Sequence, residues 1–343
     1  MKAVLCINGA AFVAGFGFAV AALSQAIEPV RAPQLGAKLD WLAERGAEYD
    51  TFFIGSSRVH RQLIPDIFDA EMAAHGVRTN SFNLSGDGMR PPEDEFVMER
   101  AFATRTARTR LLVVECNSIE HMLDDEDAGT ARAVHWHDSA RMAVLWRHCW
   151  ARPLAADMKA SRVAARIWKR VRQLPEHFQH WVWNCGRVGQ ASEWLSGLVV
   201  GEKPGEDARE LGSDGYRVPK TGELMSGKTL LNYEKALAAA MKQPPAEDFE
   251  DSESQASLAR KKAMADRLGA RMVFVSSPFL RPAVFAPASR EGVVFLDYSA
   301  PAKFPELYAP EHRRDPGHLN VKGSEIYTRL VARQIAEALK KQP

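Results

Sequence analysis

The sequence predicts an α/β protein in which helices cover both faces of a parallel β-sheet. Three observations support this fold class. Five short apolar segments have the length and composition of buried strands, segments of helical character separate them, and the two kinds of segment alternate along the chain. Alternation of this kind is typical of a parallel sheet with helices on both sides.

The expected strands and helices follow one another at both ends of the chain. The strands are predicted at residues 51–54, 79–84, 111–114, 272–275 and 293–296. The helices are predicted at residues 65–74, 92–104, 252–268 and 321–340. In the last of these helices, apolar residues recur every three or four positions, which indicates one buried face.

A long gap separates the third and fourth strands. Its length of about 155 residues is too great for one crossover connection, and it predicts an inserted helical subdomain. We place this insertion at residues 126–256, between two parts of the α/β domain at 27–125 and 257–343. Residues 244–256 are acidic and polar, contain Pro-Pro, and are expected to form a surface loop.

The insertion is rich in tryptophan. Seven of the eight tryptophans lie between residues 135 and 200, beside a basic helical stretch at 159–172. A glycan-binding surface and an interfacial membrane helix are two functional interpretations. The favoured interpretation is structural, with the tryptophans forming the core of the helical subdomain itself. The tryptophans concerned are Trp136, Trp146, Trp150, Trp168, Trp181, Trp183 and Trp194.

The N-terminal residues 4–23 carry no charge. Twenty such residues in a helix span about 30 Å, the thickness of the hydrocarbon core of a bilayer. Ser24-Gln25-Ala26 has the small residues of a cleavage site. We expect residues 1–26 to be a membrane anchor, with a cleaved signal peptide and a buried core helix as alternatives. Anchor and signal peptide both place the rest of the chain outside the cytoplasm, in the periplasm or at the cell exterior.

Composition excludes several functional classes. Hydrophobic residues make up 46% and charged residues 26%, as in globular proteins, and the formal charge of +2 does not favour a nucleic-acid partner. The sequence has no Cys-x-x-Cys pair, which argues against a common zinc module. Cys149 and Cys185 could pair in an oxidising compartment, but free, buried thiols are favoured.

No cofactor or metal ion is expected. One group of residues hints at metal ligands, but its spacing fits no specific zinc pattern, and a solvated loop is favoured. The group consists of His121, His135 and His137 with Asp124, Asp125 and Asp127.

Polar residues follow the first three strands and precede the last helix. They include Ser57, Gly88, Asn117 and the pair Asp315 and His318. Ligands bind at the carboxyl ends of parallel strands, so we expect these segments to meet at one edge of the sheet. A serine needs a base to become a nucleophile, a histidine can take and return its proton, and an aspartate orients the imidazole. The set therefore predicts acyl-transfer chemistry.

In this order, the segments resemble the four sequence blocks of the SGNH, or GDSL-like, hydrolase superfamily. Residues 55–57 match the Gly-Asp-Ser block, with serine in place of aspartate, and Gly88 matches the glycine of the second block. Residues 115–118 match the Gly-x-Asn-Asp block but keep only its asparagine. Asp315 and His318 match the Asp-x-x-His block.

The resemblance implies a flavodoxin-like three-layer α/β/α fold with a helical insertion. It implies that Ser57 is the nucleophile and that Asp315 and His318 complete a catalytic triad. It also implies an oxyanion hole made of the Ser57 amide, the Gly88 amide and the side chain of Asn117.

Three neighbours of these residues have expected structural roles. Ser56 is the second candidate for the nucleophile, but we expect it to cap the following helix or form part of the turn. Arg58 could bind an anionic or sugar substrate, but a surface ion pair is favoured. Glu115 is expected to act as a structural hydrogen-bond acceptor.

The Gly-Ser-Ser form and the apolar N-terminal segment resemble the exported branch of this superfamily that takes part in O-acylation of cell-envelope polysaccharides. Members of that branch often work with a membrane-bound O-acyltransferase. The resemblance implies a serine esterase or O-acyltransferase that acts on acyl esters of an envelope saccharide. A non-catalytic, polymer-binding partner of such an acyltransferase is the main alternative, and a secreted lipase-type esterase is a third.

Overall fold

The structure is a computed structural model that describes residues 32–103, 109–119, 131–154, 159–187, 214–217 and 224–341. Near the N-terminus it describes only residues 8, 11, 12, 14–19 and 22, which are helical. Most of the expected anchor or signal segment therefore lies outside the described residues. Within the described parts of the chain, no helix combines the length and the apolar character that crossing a bilayer requires.

The chain alternates between short strands and longer helices. The strands are β1 (Thr51–Ile54), β2 (Ser81–Asn83), β3 (Leu111–Glu115), β4 (Ala246–Asp248), β5 (Arg271–Ser276), β6 (Ala283–Phe285), β7 (Val294–Asp297), β8 (Arg313–Asp315) and β9 (His318–Leu319). The helices are α1 (Pro33–Arg45), α2 (Ser57–His60), α3 (Pro65–Ala74), α4 (Glu93–Phe102), α5 (Ala131–Trp136), α6 (Ser139–Trp150), α7 (Ala160–Val171), α8 (Leu174–Gly186), α9 (Gly227–Ala240), α10 (Ser252–Leu268), α11 (Pro305–Tyr308) and α12 (Val321–Lys341).

Five parallel strands form the central sheet in the order β2-β1-β3-β5-β7. In the register of the sheet, Thr51 of β1 lies between Ser81 of β2 and Leu111 of β3. This is the doubly wound order in which the direction of strand addition reverses between β1 and β3. The predicted three-layer α/β/α fold is confirmed, and the five predicted strands coincide with β1, β2, β3, β5 and β7.

Side chains of the sheet alternate between two separate cores because successive residues of a strand point to opposite faces. Phe52 and Ile54 of β1 belong to one core, which α1, α4 and α10 cover. Phe53 belongs to the other core, which α3 and α12 cover. Both faces of β1 and β3 are buried, so these two strands carry consecutive apolar residues instead of alternating apolar and polar ones.

The prediction of a surface loop at residues 244–256 is wrong for most of these residues. Strand β4 pairs in parallel with β6, and α10 begins inside the same segment. Strand β4 has mostly exposed side chains, so its backbone pairing left no apolar pattern in the sequence. Strand β6 lay outside every predicted element, and the two strands form a small sheet of their own.

The described part of the predicted insertion is helical from α5 to α9. The expectation that the tryptophans form a core of the insertion itself holds for Trp136 only in its burial, because Trp136 lies in the core that also contains Phe52 of β1. It is wrong for Trp146, Trp150 and Trp168, whose exposed fractions are 57%, 52% and 64%. Trp181 and Trp183 are partly exposed, and Trp194 lies outside the described residues.

The described cysteines are free thiols, which confirms the favoured interpretation. Cys116 and Cys149 are buried, and Cys185 is partly buried. Burial raises the pKa of Cys149 and of Cys185 above the ordinary value of a thiol. Thiols of this kind stay protonated and unreactive at neutral pH.

A buried ion pair attaches the helical insertion to the α/β domain. Asp251 caps α10 by accepting hydrogen bonds from the amides of Glu253 and Ser254. Its other carboxylate oxygen accepts a 2.8 Å bond from Nη2 of Arg170, on α7. Arg170 also donates to the carbonyl oxygen of His148, on α6. One guanidinium therefore joins two insertion helices to the start of α10.

We expect Arg170→Met to lower the free energy of unfolding by about 3 kcal/mol or more, because the fully buried Asp251 carboxylate loses its arginine partner. Urea titration of the variant and of the parent protein measures this change. Arg162→Met removes an exposed cation from the same helix and serves as the control, with an expected effect within about 0.5 kcal/mol. Equal effects of the two substitutions would contradict the prediction.

Candidate active site

The turn after β1 presents Ser57 at the start of α2. Ser56 caps this short helix, with its hydroxyl accepting a hydrogen bond from the amide of Arg58, as expected. Gly55 must be glycine because the chain packs closely here. A Cβ atom at this position would lie 2.6 Å from Cβ of Glu115 and 2.7 Å from Cγ2 of Val59.

The structure brings Ser57, His318 and Asp315 into one hydrogen-bonded chain. The Ser57 Oγ atom lies 2.8 Å from Nε2 of His318. The Nδ1 atom of the same ring lies 2.9 Å and 3.1 Å from the two carboxylate oxygens of Asp315. Asp315 and His318 lie opposite each other in the antiparallel pair β8–β9, which explains why a separation of three residues brings their side chains together.

The charges in this chain suit proton transfer. Burial opposes ionisation of Asp315, but the hydrogen bond and charge of His318, the amide of Gly317 and the charge of Arg314 together outweigh it, so the pKa of this carboxyl lies below its ordinary value. The ionised carboxylate accepts a hydrogen bond from Nδ1–H of His318, which leaves the Nε2 lone pair facing the hydroxyl of Ser57. The side chains of His318 and Asp315 are 31% and 35% exposed, so an ester can reach them from solvent.

A buried carboxylate, that of Glu115, organises the residues around Ser57. Its Oε2 atom accepts a 2.8 Å bond from the amide of Ser56 and a 2.9 Å bond from Nδ2 of Asn117. Its Oε1 atom accepts a 2.9 Å bond from Nε of Arg58. The expected role as a hydrogen-bond acceptor is confirmed. Arg58 forms the expected ion pair, but the prediction that this pair lies at the surface is wrong. The Arg58 side chain is only 12% exposed, and its partner is buried.

The ion pair decides the charge state of Glu115. Burial raises the pKa of a carboxyl, but the nearby Arg58 cation and the hydrogen bonds from Ser56 and Asn117 outweigh it. The result is a pKa of about 2. Glu115 therefore carries its charge at neutral pH, and it holds the end of β3 against the serine turn.

The structure places the predicted oxyanion-hole residues on separate strand ends. Asn117 uses one hydrogen of its side-chain amide on Glu115, and a primary amide has a second hydrogen to donate. Gly88 is exposed and has a φ of 67°, in the left-handed region that favours glycine. No described hydrogen bond tests whether their donors act together with the Ser57 amide, so the oxyanion hole stays a prediction.

The turn that carries Gly88 is attached to the end of α2. Asp87 accepts a hydrogen bond from Nε of Arg61 at 2.9 Å and contacts Nδ1 of His60 at 3.3 Å. The side-chain amide of Asn83 donates to the carbonyl oxygens of Val59 and, at 2.9 Å, of Leu63. These contacts tie the end of β2 to the helix that begins with Ser57.

Sequence reasoning missed Lys38, which supports the same turn. Its buried ammonium donates 2.7 Å hydrogen bonds to the carbonyl oxygens of Asn83 and Ser85. Burial lowers the pKa of Lys38 well below the ordinary value of a lysine. Lys38 lies on α1, a helix that was not predicted, and no sequence motif marks it.

The prediction that His121, His135 and His137 lie in a solvated loop is wrong for His137. This side chain is buried, and its Nε2 atom lies 2.9 Å from Nδ1 of His177, on α8. His135 is partly buried, at the end of α5, whereas His121 and the three aspartates lie outside the described residues. Among the residues that the structure describes, no group of three or more His, Cys, Asp or Glu side chains could hold a metal ion.

Comparison with known proteins finds no family model that matches the chain and no curated protein that is detectably similar to it. The geometry of the fold and of the site therefore defines the class of this protein. It is an α/β/α protein with a Ser-His-Asp arrangement at the carboxyl edge of its sheet. Ser57 follows β1 and Asn117 follows β3, on either side of the point where the strand order reverses.

We expect Glu115→Gln to destabilise the protein clearly more at pH 7 than at pH 3, where part of the contribution of the charge is already lost. The pKa of Glu115 is lower in the folded chain than in the unfolded chain, so its contribution is fully present above about pH 4.5 and is lost as the pH falls towards 2. A depression of this size corresponds to about 3 kcal/mol of stability at pH 7.

Urea titrations of the variant and of the parent at pH 7 and pH 3 test this expectation. Glu48→Gln is the control, because Glu48 forms an exposed ion pair with Arg45 and its loss should cost at most about 1 kcal/mol. A stability difference for Glu115→Gln that is the same at both pH values would rule out the proposed charge state.

Proposed function

We propose that this protein is a serine esterase or O-acyltransferase of the SGNH type. The observation that carries the proposal is the unbroken hydrogen-bonded chain from Ser57 through His318 to Asp315. A surface serine has many reasons to exist, but a serine in contact with an imidazole that an ionised carboxylate orients is arranged for nucleophilic attack.

The first half-reaction forms an acyl-enzyme. The Oγ atom of Ser57 attacks the carbonyl carbon of an ester, while its proton passes to Nε2 of His318. Asp315 stabilises the imidazolium that results. The tetrahedral intermediate then collapses, the bond to the alcohol oxygen breaks, and His318 returns the proton to the leaving alcohol. The amides of Ser57 and Gly88 and the side chain of Asn117 are the proposed donors to the developing oxyanion.

The second half-reaction decides between hydrolysis and transfer. Water attacks the acyl-Ser57 carbonyl in an esterase, and a sugar hydroxyl attacks it in an acyltransferase. Transfer wins only if the acceptor is held in attack geometry, where effective molarities reach about 10⁵ M or more. The exposed side chains of Trp146, Trp150 and Trp168 support an acceptor surface on the insertion, because exposed aromatic rings gain free energy when a ligand covers them.

We further propose an acylated saccharide of the cell envelope as the substrate. This part of the proposal rests on the resemblance of residues 55–57 and of the apolar N-terminal segment to exported members of the superfamily. It includes location outside the cytoplasm and a membrane-bound O-acyltransferase as a partner. A neighbouring gene for such an acyltransferase would support it.

A serine-directed fluorophosphonate should label Ser57. Ser57→Ala should abolish labelling, whereas Ser56→Ala should retain it and cost about 1 kcal/mol of stability through loss of the helix cap. Gel fluorescence and peptide mapping of the labelled protein identify the residue. Labelling that persists in Ser57→Ala and disappears in Ser56→Ala would transfer the role to Ser56. No labelling of the parent protein would favour the non-catalytic, polymer-binding alternative.

Asp315→Asn should lower kcat for a neutral acetyl ester by about 10³- to 10⁴-fold, because the imidazole loses the partner that sets its tautomer and stabilises its cation. Hydrolysis of 4-nitrophenyl acetate measures kcat and KM. Asp266→Asn, at an exposed ion pair with Lys262, is the control and should leave both constants unchanged. A fall of less than tenfold in Asp315→Asn would argue against a working triad.

A further inference from the structure

A cavity of about 270 Å³ opens beside the candidate triad. Its lining includes Arg58, which follows Ser57 in the chain, and Asn117. The ring of Phe279, another lining residue, lies against Gly317, where a Cβ atom would be 3.8 Å from the ring. Residue 317 lies between the aspartate and the histidine of the triad. An ester bound at the serine therefore has this cavity within reach, and its volume suits a monosaccharide or a short acyl chain.

The cavity contains a cation that forms no ion pair with any carboxylate of the described residues, although Glu115 and Asp297 lie close enough to raise its pKa. Among the described residues, the Nε atom of Arg281 is buried and has no hydrogen-bond partner. The one hydrogen bond of this guanidinium runs from Nη2 to the carbonyl oxygen of Ser277, and at 3.5 Å it is long. No carboxylate in the described parts of the chain lies within ion-pair distance of Arg281. Leaving a buried charged donor unsatisfied is costly, and such donors at pockets commonly serve ligands.

A second guanidinium lies on the same aromatic ring. Arg281 is 5.4 Å from the centre of the Phe279 ring, and Arg58 is 5.1 Å from it. Arg58 already pairs with Glu115, so its charge is compensated. Burial, together with the nearby Arg58 cation, lowers the pKa of Arg281 to about 10. Arg281 still carries its charge at neutral pH. An anion placed beside it would offset both the cost of its burial and its repulsion by Arg58.

The cavity is also lined by two acidic residues, Asp248 and Glu250. The Oδ1 atom of Asp248 accepts a 2.7 Å hydrogen bond from the amide of Glu250. Glu250 has a φ of 45°, an uncommon conformation for a residue other than glycine, and such conformations cluster at binding sites. Carboxylates accept hydrogen bonds from hydroxyl groups, so this pair suits a hydroxylated ligand.

We propose that this cavity binds a carboxylate group of the substrate through Arg281, while Asp248 and Glu250 accept hydrogen bonds from neighbouring hydroxyls. The inference rests on the proposed function and narrows it to carboxylated esters. The guanidinium has a planar fork of donors that matches the geometry of a carboxylate. The carboxylate belongs either to an acidic sugar or to the acyl group, as in a half-ester of a dicarboxylic acid.

Calorimetric binding to the full-length Ser57→Ala protein tests the site without any turnover. Two matched pairs of probes distinguish the sources of the carboxylate. Trigalacturonate and its neutral methyl ester report on the saccharide, and monomethyl succinate and dimethyl succinate report on the acyl group. We expect the anionic member of one pair to bind more tightly than its neutral partner. Equal binding within both pairs would overturn the proposal.

Substitutions at Arg281 then test the residue. In the Ser57→Ala background, Arg281→Met should weaken binding of the preferred anionic probe by about 10- to 100-fold. Binding of its neutral partner should stay unchanged. Arg281→Lys keeps the charge but not the fork, so its loss should be intermediate. Arg290→Met, at an exposed ion pair with Glu247, is the control and should change neither. Equal weakening of both members of a pair in both Arg281 variants would indicate a structural role and overturn the proposal.

A separate measurement keeps the two proposals apart. Hydrolysis of 4-nitrophenyl acetate, which has no carboxylate, by the parent protein with Ser57 intact reports on the proposed catalysis alone. A parent protein that binds the anion through Arg281 but hydrolyses no ester would refute the proposed catalysis and leave the binding site standing.

Discussion

The buried charge of Glu115 is the constraint on which the candidate active site depends. Removing a carboxylate from water costs several kcal/mol unless other groups compensate it. Here the compensation comes from the amide of Ser56, the guanidinium of Arg58 and the amide side chain of Asn117. Because one carboxylate holds all three, the serine turn after β1 and the residues after β3 are positioned together. A rigid strand end, instead of a loop, therefore orients the nucleophile.

The sheet explains why distant segments meet at this place. The strand order reverses between β1 and β3, so the connections that follow these two strands leave in opposite directions and open a crevice between them. Asp315 and His318 reach the crevice from the far end of the chain, on the pair β8–β9 that precedes α12. The cavity at Arg281 lies against the same pair through Phe279. Proton transfer and anion binding would thus share one edge of the sheet.

Sequence reasoning worked where a pattern repeats or a motif is local. Buried strands such as β3 are continuous apolar runs, and helices α3 and α10 begin and end at the predicted residues. It failed where a side chain or a backbone finds its partner far along the chain. Lys38 lies on a helix that was not predicted. Strand β4 pairs with β6, and the sequence of neither strand has a pattern that predicts this pairing. The exposed tryptophans of the insertion were mistaken for core because composition reveals aromatic content and not the direction in which a ring points.

The sequence by itself determined the α/β class, the positions of the main strands along the chain and the residue types that acyl transfer requires. Strand burial leaves an apolar run, and a triad needs a serine, a histidine and an aspartate, so both are visible without coordinates. Only the tertiary structure decided that Ser57, and not Ser56, contacts His318, and that Arg58 pairs inward with Glu115. Only the tertiary structure decided that Arg281 forms no ion pair with a carboxylate in the described parts of the chain. The contacts of Arg58 with Glu115 and of Ser57 with His318 join residues 57 and 261 positions apart, and no local sequence pattern records such packing.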